Sequence, residues 1–195
     1  MIYTSIIGGK DLPRTDIKVC TDNRWFSNNR MAAKMYKVLP HLWWKEDTIW
    51  IDGNVTMKLS EQEALEKFLR DADMAVFKHP WRNHPWDEAR CCEMLKFDEP
   101  IRLQQFMNHY GEEYLKSLPL HECNVILRRY NDATIRFNEH WWALICRWSQ
   151  RDQVTFPIAV AETGIKLVEI EEGHNVRTHP AFTYGGHAPK KPKKQ

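Results

Sequence analysis

The run Thr48-Ile49-Trp50-Ile51-Asp52-Gly53-Asn54-Val55 ends an apolar stretch in an acidic turn, and it holds the residues best spaced for chemistry. Asp52 and Asn54 lie two apart, so on extended backbone both point to one side. Gly53 between them lets the chain turn sharply and approach a ligand closely. A carboxylate and an amide oxygen at a strand end can hold a divalent cation when the phosphates of a substrate complete its oxygen shell. An Asp-Gly pair is also an ordinary hairpin signal, so the weight of the motif depends on its surroundings.

Those surroundings alternate between strand and helix patterns. Ile2 to Ile7 is a β-branched run closed by Gly8-Gly9, and Ile17 to Thr21 a second short strand. Asn29 to Leu39 has helical spacing, with Met31, Met35 and Val38 on one face and Arg30, Lys34 and Lys37 on the next, and Pro40 ends it. Ser60 with Glu63 forms a capping box for another helix. The pattern continues as a strand over Met74 to Lys78 and a helix over Pro85 to Leu95 with Asp87 and Glu88 in its first turn. A longer helix over Ile101 to Leu118, weakened at Gly111, precedes a short strand over Val125 to Leu127. Helical stretches follow over Ala133 to Ser149 and from Arg151, then a late strand over Ile165 to Ile170. This order predicts one α/β domain with a mostly parallel central sheet flanked by helices. Ligands of such sheets bind beyond the carboxyl ends of the strands. Gly8-Gly9, Thr21-Asp22, Asp52-Gly53-Asn54 and His79 all fall at such ends.

The chain has 195 residues, a formal net charge of +2 and five cysteines. An odd cysteine count with no signal-like segment predicts reduced thiols and a cytoplasmic protein, and no apolar run is long enough for a membrane anchor. Lys190 to Lys194 form a basic tail, which reads as a solvated end or as a contact for phosphates. Nine tryptophans are more than a simple core requires, and exposed indoles stack on sugar faces or nucleobases.

Several segments together resemble, in order, the glycosyltransferase-like domain of the plant TOD/MUCI type, which also has bacterial and phage members. They are Tyr3 to Asp11, Thr21-Asp22-Asn23, the Arg30…Lys34…Lys37-Val38-Leu39-Pro40-His41 helix, Ile49 to Asn54, His79-Pro80-Trp81-Arg82 with Glu88, and Ser149 to Gln153. The resemblance covers roughly residues 1–160. It implies a single GT-A-like (Rossmann-like) domain over 1–172, with 173–195 as a C-terminal loop and basic tail. It also implies hexosyl or pentosyl transfer from a nucleotide sugar, by analogy a UDP-sugar, with Mn2+ or Mg2+.

Carried onto this sequence, the resemblance makes Asp52 and Asn54 metal ligands, although the family more often has Asp at both places. His187, after Gly185-Gly186, is the third ligand by analogy, with His174 and His179 as rivals. Thr4, Ile6 and Asp22 are expected to line the nucleotide pocket, and Arg30 and Lys34 to meet the diphosphate or position Asp52. Asp152 and Gln153 are expected at the donor sugar, with Asp152 also readable as a helix-start acid. His79 and Arg82 are expected at the acceptor, with Glu88 as a possible acid or base beside them. The acceptor stays open between a saccharide and, as in phage DNA-modifying enzymes, a modified base in DNA. A non-catalytic nucleotide- or carbohydrate-binding module is the remaining alternative.

Overall fold

The computed structural model describes residues 1–9 and 11–186. A six-stranded sheet forms its centre, in the order β2-β1-β3-β6-β5-β7. The strands are β1 (Ile2–Ser5), β2 (Lys18–Cys20), β3 (Thr48–Ile51), β5 (Met74–Lys78), β6 (His121–Arg128) and β7 (Leu167–Glu169). β1 pairs in parallel with β2 and β3, and β5 with β7, while β6 runs antiparallel to both β3 and β5. Five strands therefore share one direction and their carboxyl ends meet at one edge. A small second sheet pairs β4 (Val55–Met57) with β8 (Phe182–Tyr184), antiparallel.

Side chains alternate across the central sheet, except at the irregularity where β5 meets β6, which puts Cys123 and Val125, two apart, in opposite layers. Trp50, Met74, Val76, Cys123 and Ile126 enter one core layer, while Ile49, Ile51, Ala75, Phe77, Val125 and Leu127 enter the other. Burial on both faces is why β3 reads as a continuous apolar run. Helices α1 (Asn29–Val38), α3 (Pro85–Met94), α4 (Pro100–Tyr110), α5 (Glu112–Ser117), α6 (Asp132–Arg147) and α7 (Asp152–Thr163) supply buried residues to the first layer. The second is covered by α2 (Glu61–Ala64), its π-helical continuation Leu65–Leu69, and the segment from Val176 to Phe182.

Three elements differ from the sequence expectation. The short strand expected at 125–127 is an eight-residue strand, β6, fully buried, and it is the one that opposes the parallel direction. Its first half carries His121, Glu122 and Asn124, which break the apolar pattern although all three are buried. The long helix of 101–118 divides at Gly111, whose φ of 79° ends α4 and opens α5. The segment after Gly173, read as loop and tail, contains β8 and buries Val176, Ala181 and Phe182 against the domain. The basic tail, Lys190 to Lys194, lies outside the described residues. The Ser60–Glu63 capping box forms as expected, with Ser60 N–H donating to Glu63 Oε2 at 2.8 Å and Glu63 N–H to Ser60 Oγ at 3.3 Å.

Candidate active site

A cavity of about 350 Å³ opens at the carboxyl ends of β1 and β3. The end of β1 (Ser5 to Gly8), Asp11, the turn Asp52-Gly53-Asn54 and the inner face of α1 line it. Backbone approach is tight at two glycines. A Cβ on Gly8, where φ is +76°, would lie 2.4 Å from the Asn29 amide, and one on Gly53 would lie 2.7 Å from Asp11 Oδ2. The positive φ strains any other residue at Gly8, and a side chain at Gly53 would have to displace the Asp11 carboxylate.

Helix α1 brings the positive charge. Asn28 caps it, accepting from Arg30 N–H at 2.9 Å, and this fixes where the helical repeat begins. Arg30, Ala33, Lys34 and Lys37, at helical i, i+3, i+4 and i+7 spacing, then face the cavity. Met35 and Val38 turn into the core on the other side. Arg30 is braced by donating Nη1 to the Phe97 carbonyl at 2.8 Å.

Beneath the cavity Lys34 Nζ and Lys37 Nζ each lie 2.6 Å from Asp152 Oδ2. Lys37 also reaches Asp52 Oδ1 at 3.3 Å, and the same oxygen accepts from Trp50 Nε1–H at 2.9 Å. The Asp152 side chain is only 6% exposed, whereas that of Asp52 is 41% exposed and faces the cavity. Burial opposes ionisation of Asp152, but the two ammonium groups outweigh it and hold its carboxyl far below the usual range. Burial draws Lys34 down to about 8, partly offset by the attraction of Asp152. Burial also disfavours the charge on Lys37, yet attraction from both Asp152 and Asp52 raises it above its ordinary value. Asp152 opens α7, and the turn before it is tied by Asp98 Oδ2, which accepts from Ser149 Oγ–H and Gln150 N–H, each at 2.7 Å.

The structure brings Ile6, Arg30, Lys34, Asp52 and Asn54 together at this cavity. Asp152 stands behind it as the anchor of the two lysines. Gln153, on the first turn of α7, is outside the lining. Thr4 is buried within β1, and Asp22 is turned to Arg24 beyond the end of β2. His187 lies outside the described residues. Its rival His179 is a core residue, bonded to Glu171 Oε2 at 2.8 Å and packed edge-on to Phe68. Two charged lining residues, Asp11 and Lys37, were not singled out as site residues in the sequence. Lys37 carried a signal, its place seven residues after Arg30. Asp11 carried none beyond its position after Gly8-Gly9.

His79, Arg82 and Glu88 form a separate cluster at the end of β5. His79 Nδ1 accepts from the backbone N–H of both Trp81 and Arg82, at 3.3 and 3.0 Å, which leaves the ring proton on Nε2. Burial, reinforced by Arg82 and Arg177, pushes its pKa down to about 4, so the ring is neutral near pH 7. Glu88 is 1% exposed and accepts from Arg82 Nε–H at 2.5 Å.

The donor set fits a hard divalent cation in part. Asp52 keeps one carboxylate oxygen without a hydrogen bond among the described residues, and Asn54 donates its amide to Gly185 O at 2.9 Å, which leaves its own oxygen as a ligand. Among the described residues no group of three or more His, Cys, Asp and Glu gathers around a common point, so ligand phosphates would have to complete the shell. No helix of the described residues is long and apolar enough to cross a membrane.

Comparison with curated proteins gives no match. Among solved structures, the apo form of mouse xyloside xylosyltransferase 1 aligns with a TM-score of 0.45 and 13% identity, over 79% of this chain. The aligned part spans 63% of the length of that chain. The family model of the TOD1/MUCI70 glycosyltransferase-like domain matches residues 16–172. That span holds the α1 cations, the Asp52 turn and their buried anchor Asp152, and with it the chain belongs to the TOD1/MUCI70 glycosyltransferase-like domain family.

Proposed function

We infer that the chain is a glycosyltransferase that moves a hexosyl or pentosyl group from a UDP-sugar, with Mn2+ or Mg2+, to a saccharide acceptor. One observation carries this: a carboxylate, Asp52, lines one cavity at the carboxyl ends of parallel strands together with three cations of α1, of which Lys37 is paired with it. That distribution of charge suits a diphosphate together with a divalent cation. Asp52 and the Asn54 amide oxygen would hold the cation, which when bound supplies Lewis-acid stabilisation of the departing diphosphate. Arg30 and Lys34 meet the phosphate oxygens from the opposite wall. Lys37 and Asp152 fix the height of Lys34 and the rotamer of Asp52, so that neither has to reorganise as charge builds on the leaving group. The backbone around Ile6 and Gly8 borders the nucleoside end.

The test is a panel of nucleotide sugars with Mn2+, reading binding by calorimetry and free nucleotide released by slow hydrolysis. UDP-sugar binding that is strengthened by Mn2+, with measurable hydrolysis, is the expected result. No binding of any nucleotide sugar, with or without the metal, overturns the assignment.

A pH dependence follows from Lys34. Its ammonium is half deprotonated at about pH 8 in the free protein, and the neutral amine gives up its attraction for phosphate. UDP affinity is expected to be level below pH 8 and to weaken above it, by up to about tenfold per unit. Stability of the free protein moves the other way. Between pH 8 and 10.5 the unfolded chain holds a proton at Lys34 that the folded chain has lost, so this group adds stability as pH rises. Lys34→Arg, which stays charged, should flatten the affinity profile. An unchanged slope in that variant would assign the titration to another group.

A further inference from the structure

An exposed aromatic array stands at the same edge of the sheet, beyond the donor cavity. Trp81 is 66% exposed, although its backbone N–H is pinned to His79 Nδ1 and its ring lies edge-on to the His79 imidazole at 5.9 Å. The Arg177 guanidinium lies 4.8 Å from the Trp81 ring and 4.2 Å from that of Tyr184. It is held there by a hydrogen bond to the buried carboxylate of Glu122. Tyr184 pairs with Val55, and the next residue, Gly185, is bonded to Asn54 through both N–H and C=O. The array is thus joined rigidly to the metal-side wall of the cavity. His79 follows β5, two strands from β3 in the sheet, which puts it about 10 Å from the Asp52 edge.

The His79–Arg82–Glu88 cluster explains how an indole stays presented to solvent. The imidazole is held through Nδ1 by two backbone N–H groups, and the Arg82–Glu88 pair closes the turn below it. His79 and Glu88 are buried and the Arg82 side chain is 26% exposed, so the cluster fixes the turn that carries Trp81. An indole rigid on one side, backed by a cation and open on the other face, offers an apolar plane beside polar edges. That combination matches a pyranose ring, which has a C–H face and a rim of hydroxyls. Its distance from the donor cavity is what an acceptor chain needs if its far residues are to be gripped while its end reaches the sugar.

We propose that Trp81, backed by Arg177 and Tyr184, is the acceptor subsite, and that it binds an oligosaccharide by stacking on a sugar ring. This rests on the glycosyltransferase reading above. The test uses the full chain on an array of neutral and uronate-containing oligosaccharides, with duplex DNA as a further probe. UDP affinity is measured in parallel. Wild type is expected to bind one oligosaccharide class, Trp81→Ala to bind it at least about tenfold more weakly, and Trp81→Phe to stay within about threefold. UDP affinity should remain within about twofold in both variants. Oligosaccharide binding unchanged in Trp81→Ala, no oligosaccharide bound by wild type, or Trp81-dependent retention of DNA in its place each overturns the proposal. Absence of UDP binding in wild type instead overturns the donor assignment, and leaves the Trp81 result to be judged separately.

Discussion

Asp152→Asn should unfold this protein more readily by about 3–5 kcal/mol, the usual cost of removing one partner from a buried ionic cluster. For a chain of this size that corresponds to a fall in Tm of roughly 6–20 °C. The substitution keeps the shape of the side chain and removes the one anion among the described residues that lies 2.6 Å from both Lys34 and Lys37. Two ammonium groups then share a buried space, with the single contact from Lys37 to Asp52 at 3.3 Å left to offset them. Lys34, already drawn down by burial, should lose its proton to relieve the repulsion, and diphosphate affinity should fall with it. The pH profile checks the same cluster. The folded-state pKa of Asp152 is depressed below its ordinary 3.8, so its stabilisation is present above that value and is lost as pH falls below it. The variant should lack this acid-labile component. Denaturant melts of both proteins at pH 7 and below pH 4 decide the matter, and a difference under about 1 kcal/mol at pH 7 would leave Asp152 as an ordinary helix-start residue.

How much of this arrangement was legible in the sequence depends on the range of the signal. The α1 face was readable because helical spacing alone puts Arg30, Lys34 and Lys37 together. The Asp52 turn was readable only in company: Asp-Gly is an ordinary hairpin signal, and the other polar strand ends gave it weight. The partnership of Asp152 with Lys34 and Lys37 was hidden, since it joins residues more than a hundred apart and each has a plausible local explanation: a helix-start acid, a solvated basic face. β6 was shortened for a different reason. Its polar residues Glu122 and Asn124 are buried at the site edge, where Glu122 takes the Arg177 hydrogen bond and Asn124 O accepts from Asp52 N–H at 2.8 Å. Buried polar side chains at the strand end thus interrupt the apolar pattern that would have marked the strand. The β8 segment was missed because three residues paired with an equally short β4 give no period to read. His79, Arg82 and Glu88 were selected as polar groups in a motif. In the structure His79 and Glu88 are buried, Arg82 is half-buried and Trp81 between them is exposed, a distribution the motif alone does not foretell.

Asp52→Ala should lower kcat/KM for the UDP-sugar by about 10³-fold, close to 4 kcal/mol, while changing stability by about 1 kcal/mol or less. The two effects separate because Asp52 is placed differently from Asp152. Its side chain is 41% exposed and Lys37 keeps Asp152 as a closer partner at 2.6 Å, so no buried charge is stranded when it goes. The carboxylate oxygen turned to the cavity is lost, however, and Asn54 alone is a weak ligand for a hard cation. Metal dependence gives the sharper reading. In wild type, Mn2+ should raise Tm strongly only in the presence of UDP, because phosphate oxygens complete the shell. In Asp52→Ala that joint stabilisation should vanish, while the smaller effect of UDP alone persists through Arg30 and Lys34. Asp52→Asn offers a neutral oxygen at the same place and should recover only part of the metal effect. Turnover within tenfold of wild type in Asp52→Ala, or an undiminished Mn2+ effect with UDP, would place the cation elsewhere and leave Asp52 as a support for Trp50 and Lys37.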